Sequence, residues 1–321
     1  MRHALHWSRL AITAESAPRI FAGANGEADL ANDPGYFTWY ELMTTDVAAA
    51  AAFYRDVVGW GTQEASTSKL SYGLFTAGEH ATAGLMELPE EGRKMGARPR
   101  WMGYVGVNDV HVAVDRIKRL GGAVYVPPTD TNIGLISVVA DPQAATFGIV
   151  DGLRAKAQLP AESGKGGHVG WHELLAADLE REFAFYCDLF GWRKGDAEGT
   201  PADTTYHSFS AGGQVIGGAF KKRPDEPVPF WLFYFNVDDL DAAAERVKAG
   251  GGQAFVNPAE LLSGLSVARC VDPQGAAFGL QGRQGRTPKM GWSTEWGGFS
   301  SRGQLVTPKP RRGPAGENSQ S

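Results

Sequence analysis

The sequence predicts an α+β protein made of four β-α-β-β-β modules that pair into two tandem domains. The first observation is an internal repeat: the stretch Trp39–Asp46 recurs as Trp171–Asp178. The second is that each copy reads as a strand, an Asp, and an apolar helix that ends at a Gly. The third is the length of 321 residues, which suits about two domains. A long repeat indicates a tandem duplication, so these observations together predict two similar domains.

The first module begins with bulky and β-branched residues at 37–44, which favour a strand. Asp46 is a suitable N-cap for an Ala-rich helix at 47–58, and Gly59 suits its C-terminal end. A Pro- and charge-rich loop is predicted at 89–100. Before it, three short strands are predicted at 60–64, 70–76 and 82–88.

The second module repeats this order in weaker form. Residues 101–107 are predicted to form a strand, and Asp109 caps a helix at 110–120 that stops at Gly121. Three further strands are predicted near 123–126, 134–140 and 145–150. After residue 167 the same order of elements returns, which predicts the third and fourth modules.

These patterns divide the chain into five parts. The segment between the two copies is polar and Gly-rich, and the C-terminal end is polar with several Pro and Arg residues. The predicted parts are a flexible leader at 1–34, a first domain at 35–152, a linker at 153–167, a second domain at 168–284 and a largely disordered tail at 285–321.

Composition excludes several classes of function. The net charge is −5, with 31 basic and 36 acidic residues, so no basic surface for nucleic acid is predicted. No apolar run reaches the roughly 18–20 residues that a membrane helix needs. The two cysteines, Cys187 and Cys270, both lie in the second copy and have no counterparts in the first. They therefore predict no repeated disulfide, and a reducing, cytoplasmic location.

The order of the landmark residues resembles a known family. The chain reads Asp46 before an Ala-rich helix, then Phe53-Tyr54 and Gly59-Trp60, and later Asp141-Pro142-Gln143 before a strand with Phe147. This order, present twice across about 35–282, resembles the vicinal oxygen chelate superfamily of glyoxalase I, bleomycin-resistance proteins and extradiol dioxygenases. Within it, the chain is similar to two-domain glyoxalase-like proteins of bacteria, the mycobacterial antigen group. The resemblance implies curled mixed sheets around a cleft, with helices outside.

The resemblance also implies where a divalent metal ion would bind in the cleft. In the first domain the implied ligand positions are Trp39, Glu87, Gly103 and Gly148. Their counterparts in the second domain are Trp171, Lys221, Phe233 and Gly279. A divalent ion needs three or four N or O ligands, and Trp and Gly side chains provide none. The sequence therefore predicts no metal ion and no cofactor. His168, His172 and His207 form a local excess, but Tyr40 and Tyr72 stand at the places assigned to the last two.

Strand periodicity predicts what the cleft contains instead. Alternation places Trp39, Glu41 and Met43 on one strand face, and Trp171, Glu173 and Leu175 on the equivalent face of the second domain. Gly148 and Gly279 would form a floor without side chains, with Gly103 and Phe233 nearby. Such a cleft would suit a flat, partly apolar molecule with a cationic or hydroxyl group. The alternative is that both Trp residues belong to the core and both Glu residues are paired structurally.

Three classes of function follow from this cleft. The first is a metal-independent small-molecule-binding protein of the sequestering or resistance type. The second is a lyase, isomerase or dioxygenase-type enzyme with a reduced metal site or with Glu41 or Glu173 as acid/base. The third is a structural protein whose cleft is filled by side chains. A monomer with pseudo-dimeric domains is expected, a homodimer remains open, and the clefts could form within or between domains.

Overall fold

The structure is a computed structural model. It describes residues 35–67, 70–94, 96–153, 164–198, 206–222, 224, 226, 228–260, 265–283, 298–299 and 305–306. The predicted leader, most of the predicted linker and most of the predicted tail lie outside these residues. Within the described part of the tail, two short strands pair with each other. No helix in the described ranges is long and apolar enough to cross a membrane.

The four predicted modules are present, in the predicted order. The first domain contains β1 (Phe37–Thr44), α1 (Val47–Val58), β2 (Gly61–Glu64), β3 (Gly73–Ala77), β4 (His80–Glu87), α2 (Glu90–Lys94), β5 (Arg100–Gly106), α3 (Val110–Arg119), β6 (Ala123–Asp130), β7 (Leu135–Ala140) and β8 (Thr146–Asp151). The second contains β9 (Val169–Ala176), α4 (Leu179–Phe190), β10 (Arg193–Glu198), β11 (Tyr206–Ala211), β12 (Gln214–Lys221), β13 (Phe230–Asp239), α5 (Leu240–Ala249), β14 (Gln253–Glu260), β15 (Ser266–Val271) and β16 (Ala277–Arg283). The two tail strands are β17 (Gly298–Phe299) and β18 (Leu305–Val306). The short helix α2 occupies the segment predicted as a loop.

The capping residues act as the sequence predicts. The Asp46 carboxylate accepts a hydrogen bond from the Ala49 backbone N–H at 2.9 Å, which satisfies one free donor at the start of α1. At the other end Gly59 adopts φ of 87°, a left-handed conformation that Gly adopts without steric cost. Asp178 and Gly191 repeat both roles around α4. The two copies are therefore alike in backbone as well as in sequence.

Each domain is a single curled eight-stranded sheet. The strand orders are β2-β3-β4-β1-β5-β8-β7-β6 and β10-β11-β12-β9-β13-β16-β15-β14. The two modules of a domain meet where β1 pairs antiparallel with β5, and where β9 pairs with β13. The cleft of each domain is therefore formed by two modules of the same domain, which decides the question that the sequence left open.

The domains are joined by reciprocal hydrogen bonds between their outer faces. The Tyr54 hydroxyl donates to Asp272 at 3.1 Å, and its counterpart Tyr186 donates to Asp141 at 2.9 Å. Each tyrosine hydroxyl also accepts an indole N–H at 2.8–2.9 Å, from Trp101 and Trp231 respectively. Large apolar side chains from both domains form one continuous core around these bonds. The interface therefore has approximate two-fold symmetry within one chain.

Two further pairs follow the same symmetry. Trp60 donates its indole N–H to the Gly167 carbonyl at 2.7 Å, and Trp192 donates to the Gly35 carbonyl at 2.8 Å. Each bond joins a domain to the segment that precedes the first strand of the other. The described end of the linker is thus held by a buried hydrogen bond.

Glu182 breaks the symmetry of this interface. It is fully buried on α4, beside Asp141, whereas Ala50 occupies the equivalent position on α1. Burial, together with the neighbouring Asp141 charge, raises the pKa of Glu182 to about 9. With a pKa of about 9, Glu182 is expected to hold its proton at neutral pH, because a second buried carboxylate beside Asp141 is unfavourable.

Removing either interdomain tyrosine hydroxyl should destabilise the protein. In Y54F or Y186F, a buried aspartate and a buried indole each lose a partner, at an expected cost of about 1–3 kcal/mol in the free energy of unfolding. Urea denaturation measures this cost. The matched control is V112A, at an exposed position on α3, which should change stability by less than about 0.5 kcal/mol. Wild-type stability in both tyrosine variants would contradict the structural role.

Glu182 should make stability depend on pH. An unfolded Glu titrates near 4.5, and the folded pKa is about 9, so the folded state holds a proton that the unfolded state releases. Stability should therefore fall as pH rises from about 5 to about 9. E182Q removes this titration and should be more stable than wild type at pH 8, by about 1–3 kcal/mol, with a smaller difference at pH 5.

Urea denaturation at several pH values between 5 and 8 tests this expectation. E180Q is the matched control, because Glu180 lies on the same helix with its side chain 77 % exposed. A stability difference between E182Q and wild type that does not vary with pH would show that Glu182 is not held protonated.

Candidate functional site

The inner face of the first domain encloses a cavity of about 140 Å³. Its wall is mostly apolar and includes Met43, Met86, Met102, Leu70, Ile136 and Val138. Register explains why the methionines meet: Met43 on β1 lies opposite Met86 on β4, and Met102 on β5 lies opposite Glu41. Residues opposite each other in paired strands share a face. Glu41 and Met43 therefore line the cavity on the face that strand alternation predicts.

Glu41 is a buried carboxyl at the cavity wall, 6 % exposed. The Tyr72 hydroxyl donates to Glu41 Oε1 at 2.8 Å, and the Tyr104 hydroxyl donates to Oε2 at 2.9 Å. Burial raises the pKa of Glu41 above its usual value, and the two tyrosine hydrogen bonds partly offset this. Burial and the Glu41 charge likewise raise the pKa of both tyrosines, which keeps them hydrogen-bond donors.

Arg100 is a cavity residue that sequence reasoning missed. It lies at the start of β5, opposite Met43 in the β1–β5 pairing, and its side chain lines the cavity. The sequence signal is the alternation on β5, in which Arg100, Met102 and Tyr104 share one face. That signal becomes useful only when the register between β5 and β1 is known.

The equivalent space in the second domain contains an arginine from β15. Arg269 lies opposite Gly279, as Val138 lies opposite Gly148 in the first domain, so these positions correspond. Arg269 Nη2 donates to Glu173 Oε2 at 3.2 Å, and both side chains are buried, 1 % and 0 % exposed. The guanidinium also lies over the Phe220 ring, 4.5 Å from its centroid. The second cleft is therefore filled here by a buried ion pair.

Tyr234 completes this arrangement. Its hydroxyl donates to Glu173 Oε2, and Arg269 Nε donates to the Tyr234 oxygen at 3.4 Å. Burial alone would lower the pKa of Arg269, but Tyr234 and Glu173 together raise it above its usual value. Leu175 is also fully buried here, in the same apolar cluster. Glu173 thus has the strand position of Glu41, but it is paired with a cation.

Trp39 and Trp171 lie on the predicted inner face but are packed as core residues. Trp39 belongs to the apolar cluster of Tyr104, and Trp171 to that of Tyr234. Their indole N–H groups donate to the hydroxyls of Tyr72 and Tyr206 at 3.2 and 2.9 Å. Trp39 is not among the side chains that line the cavity, and both indoles belong to the core, as the alternative interpretation held. Tyr206 pairs with Trp171 as Tyr72 does with Trp39, so Tyr206, and not His207, is the counterpart of Tyr72.

The predicted glycine floor is covered in both domains. A Cβ at Gly148 would lie 2.1 Å from the Tyr104 ring, and one at Gly279 would lie 2.2 Å from the Tyr234 ring. These glycines leave room for the tyrosines that contact Glu41 and Glu173. The prediction of an open floor is therefore wrong, because the neighbouring strand supplies a ring that the local sequence does not reveal.

Gly103 and Phe233 face the other domain and not the clefts. Gly103 lies opposite Tyr40 in the β1–β5 pairing, and a Cβ there would lie 2.6 Å from the Phe233 ring. Placing them in the cleft is an error of one residue, and a shift of one residue along a strand moves a side chain to the opposite face. Tyr104 and Tyr234, one residue further on, occupy the inner face.

The side chains at the implied metal positions do not fit a divalent ion. Trp39 is a donor, the space at Gly148 is taken by Tyr104, and Glu87 is 60 % exposed at the end of β4, 3.4 Å from Arg93. Both oxygens of Glu41 already accept tyrosine hydrogen bonds. No group of three His, Cys, Asp or Glu residues suited to a metal ion occurs in the described ranges.

His172 also has other partners. Its Nδ1 lies 2.6 Å from the Ile216 carbonyl, which can only accept, so Nδ1 carries the proton. Its Nε2 lies 2.6 Å from the Tyr40 hydroxyl and accepts from it. Burial lowers the pKa of His172 to about 4, which keeps the ring neutral. The two residues are repeat counterparts, and their hydrogen bond joins the domains.

Comparison with known proteins identifies the family. The profile of the Glyoxalase/Bleomycin resistance protein/Dioxygenase superfamily matches residues 36–148 and 167–280. The chain belongs to this superfamily. The two matches coincide with the two described domains, so this is a two-domain vicinal oxygen chelate protein, as its repeated landmarks indicate.

Several known proteins are similar to this chain over most of its length. The putative glyoxylase CFP32 of Mycobacterium bovis is 34 % identical over 247 residues, which cover 75 % of this chain and 92 % of that protein. The anthracycline biosynthesis protein DauV of a Streptomyces species is 30 % identical over 269 residues, 77 % and 93 % of the two chains. The Mn(II)-bound glyoxalase of Novosphingobium aromaticivorans has a TM-score of 0.53 at 16 % identity, covering 78 % and 84 %. This last similarity concerns the fold alone.

Breaking the buried ion pair of the second domain should be costly. R269M leaves Glu173 buried without its cation, and we expect the free energy of unfolding to fall by about 3–5 kcal/mol. R100M is the matched variant in the first domain, where no ion pair is lost, and should change stability by less than about 1 kcal/mol. Urea denaturation of both variants measures the difference. Equal costs for the two substitutions would contradict the contrast between the clefts.

Proposed function

We propose that this protein is a small-molecule-binding member of the superfamily, which binds a flat, largely apolar ligand in the first domain without a metal ion. The observation that carries this proposal is the asymmetry of the two clefts. The first domain has a cavity lined by methionines beside Glu41, and the second has Arg269 in the corresponding space. A mostly apolar cavity with a few polar groups is typical of small-molecule sites.

The size and chemistry of the cavity support a compact aromatic ligand. A cavity of about 150 Å³ holds a molecule the size of benzene, and this one measures about 140 Å³. Met43, Met86 and Met102 are flexible and polarisable, and methionine sulfur makes favourable contacts with aromatic rings. A larger ligand would extend past the half-buried residues Thr129 and Thr131 at the cavity edge. The name of DauV, an anthracycline biosynthesis protein, is consistent with a planar ring system.

Metal independence is supported by the donors at the implied ligand positions. An indole N–H at Trp39 and a tyrosine ring over Gly148 supply no ligand in the orientation that chelation requires. The remaining carboxylate, Glu41, is held by two tyrosines. In this proposal Glu41 orders Tyr72 and Tyr104 around the ligand.

An enzymatic role is the second candidate, and the environment of Glu41 favours it. Burial raises the pKa of this carboxyl, and a buried carboxyl at the wall of an apolar cavity is a suitable group for proton transfer to or from a ligand. The name putative glyoxylase, carried by CFP32, is consistent with such an activity. Glu173 is less suited to this role because it is paired with Arg269.

The location and assembly of the protein also remain proposals. A cytoplasmic location is supported by Cys187 and Cys270, which are both free thiols. A monomeric state is supported by the interdomain core, in which each domain already packs against its own repeat. A net charge of −5 gives no support to binding of nucleic acid.

Placing an arginine at position 138 should weaken ligand binding in the first-domain cavity. V138R reproduces the arrangement of the second domain, in which an arginine fills the space and pairs with the glutamate. We expect the affinity for the neutral probes benzamide and benzyl alcohol to fall at least about tenfold, because the arginine occupies the space of the aromatic ring. Ligand-observed NMR titration of the full chain measures both affinities.

V138L is the matched control, since it keeps the position apolar and should retain binding within about threefold. Circular dichroism reports whether V138R remains folded, as the stable Arg269 arrangement leads us to expect. The proposal fails if wild type binds neither probe, or if folded V138R binds both as wild type does.

A further inference from the structure

Arg100 is a half-buried cation without a counter-charge among the described residues. Its side chain faces the first-domain cavity, and its Nε atom is buried with no hydrogen-bond partner. Among the residues that the structure describes, none forms an ion pair or a side-chain hydrogen bond with Arg100. The carboxyl in the same cavity, Glu41, instead accepts from Tyr72 and Tyr104.

A partly buried guanidinium without a carboxylate partner loses hydration that no ion pair replaces. Burial lowers the pKa of Arg100, and the groups that favour its charge are the hydroxyls of Tyr104 and Tyr125, not a carboxylate. A buried charge is normally paired, as Arg269 is with Glu173 in the second domain. The position equivalent to Arg100 holds Phe230 there, opposite Leu175. The unpaired arginine is therefore a feature of the domain that has the cavity.

A ligand with an anionic oxygen would supply the missing charge. Arg presents several N–H donors in a planar arrangement that matches a carboxylate, and such charge-assisted bonds are stronger than neutral ones. The cavity places this donor beside Met43 and Met102, which offer an apolar surface for a ring. Recognition would thus combine an apolar ring contact with one ion pair.

We propose that Arg100 makes the first-domain cavity selective for planar aromatic compounds that carry a carboxylate, with the ring among the methionines and the carboxylate on the guanidinium. This inference rests on the proposed function, since it specifies the ligand class of the same cavity. Arg100 is then the residue that distinguishes an anionic ligand from a neutral one of equal shape.

Benzoate and benzamide form the test pair, because they have nearly the same shape and differ in charge. Their dissociation constants are measured by ligand-observed NMR titration with full-length wild type, R100M and R100K. Wild type should bind benzoate at least about tenfold more tightly than benzamide. R100M should lose this preference by weakening benzoate binding about tenfold, with benzamide affinity within about threefold of wild type. R100K should retain part of the preference.

R55M is the matched control, because it removes the same charge from α1, where the Arg55 side chain is 64 % exposed. It should leave both affinities unchanged. The inference is overturned if wild type binds benzamide as tightly as benzoate, or if R55M and R100M weaken benzoate binding equally. Binding of benzamide to R100M also shows that the variant is folded. If wild type binds neither compound, the proposed function itself fails.

Discussion

Two buried tyrosine–aspartate hydrogen bonds organise the relation between the domains. Tyr54 donates to Asp272 and Tyr186 donates to Asp141, so the first helix of each domain, α1 or α4, is joined to the Asp-Pro-Gln turn of the other domain. The same tyrosine hydroxyls accept hydrogen bonds from the indole N–H groups of Trp101 on β5 and Trp231 on β13. Because these polar groups are buried, each must keep its partner, which fixes how the outer faces of the two sheets meet. The inner faces are thereby left to form the clefts.

The two clefts differ although their backbones are alike. In both, a tyrosine lies over a glycine and donates to a glutamate on the central strand. The difference lies at several positions on the inner face: Val138 leaves space where Arg269 fills it, and Arg100 corresponds to Phe230. Duplication thus provides two copies of one scaffold, and changes of side chain on one face distinguish the filled copy from the open one. In the filled copy two buried charges pair with each other, so removing either one leaves the other unpaired.

The open cleft combines features that would be unfavourable in a purely structural core. It contains a carboxyl with a raised pKa, an arginine without a carboxylate partner and a wall of methionines. Protein interiors are usually packed tightly and their buried charges are paired. Departures from these rules concentrate at functional sites, where a ligand completes the packing and the charge. In the second domain, by contrast, the buried charges of Glu173 and Arg269 are paired with each other.

Local sequence patterns are sufficient to predict the modules, their caps and the face of the first strand that points inward. Alternation has a period of two, so Glu41 and Met43 could be assigned to one face without knowledge of the rest of the sheet. Residue type alone also indicated that Trp39 and Gly148 cannot hold a metal ion.

Which strands meet, and in what register, is visible only in the folded protein. Register depends on hydrogen bonds between segments far apart in the chain, and an error of one residue moves a side chain to the other face. For this reason the sequence pattern places Gly103 on the wrong face, does not reveal Tyr104 as the cover of Gly148, and does not locate the charges of Arg100 and Arg269.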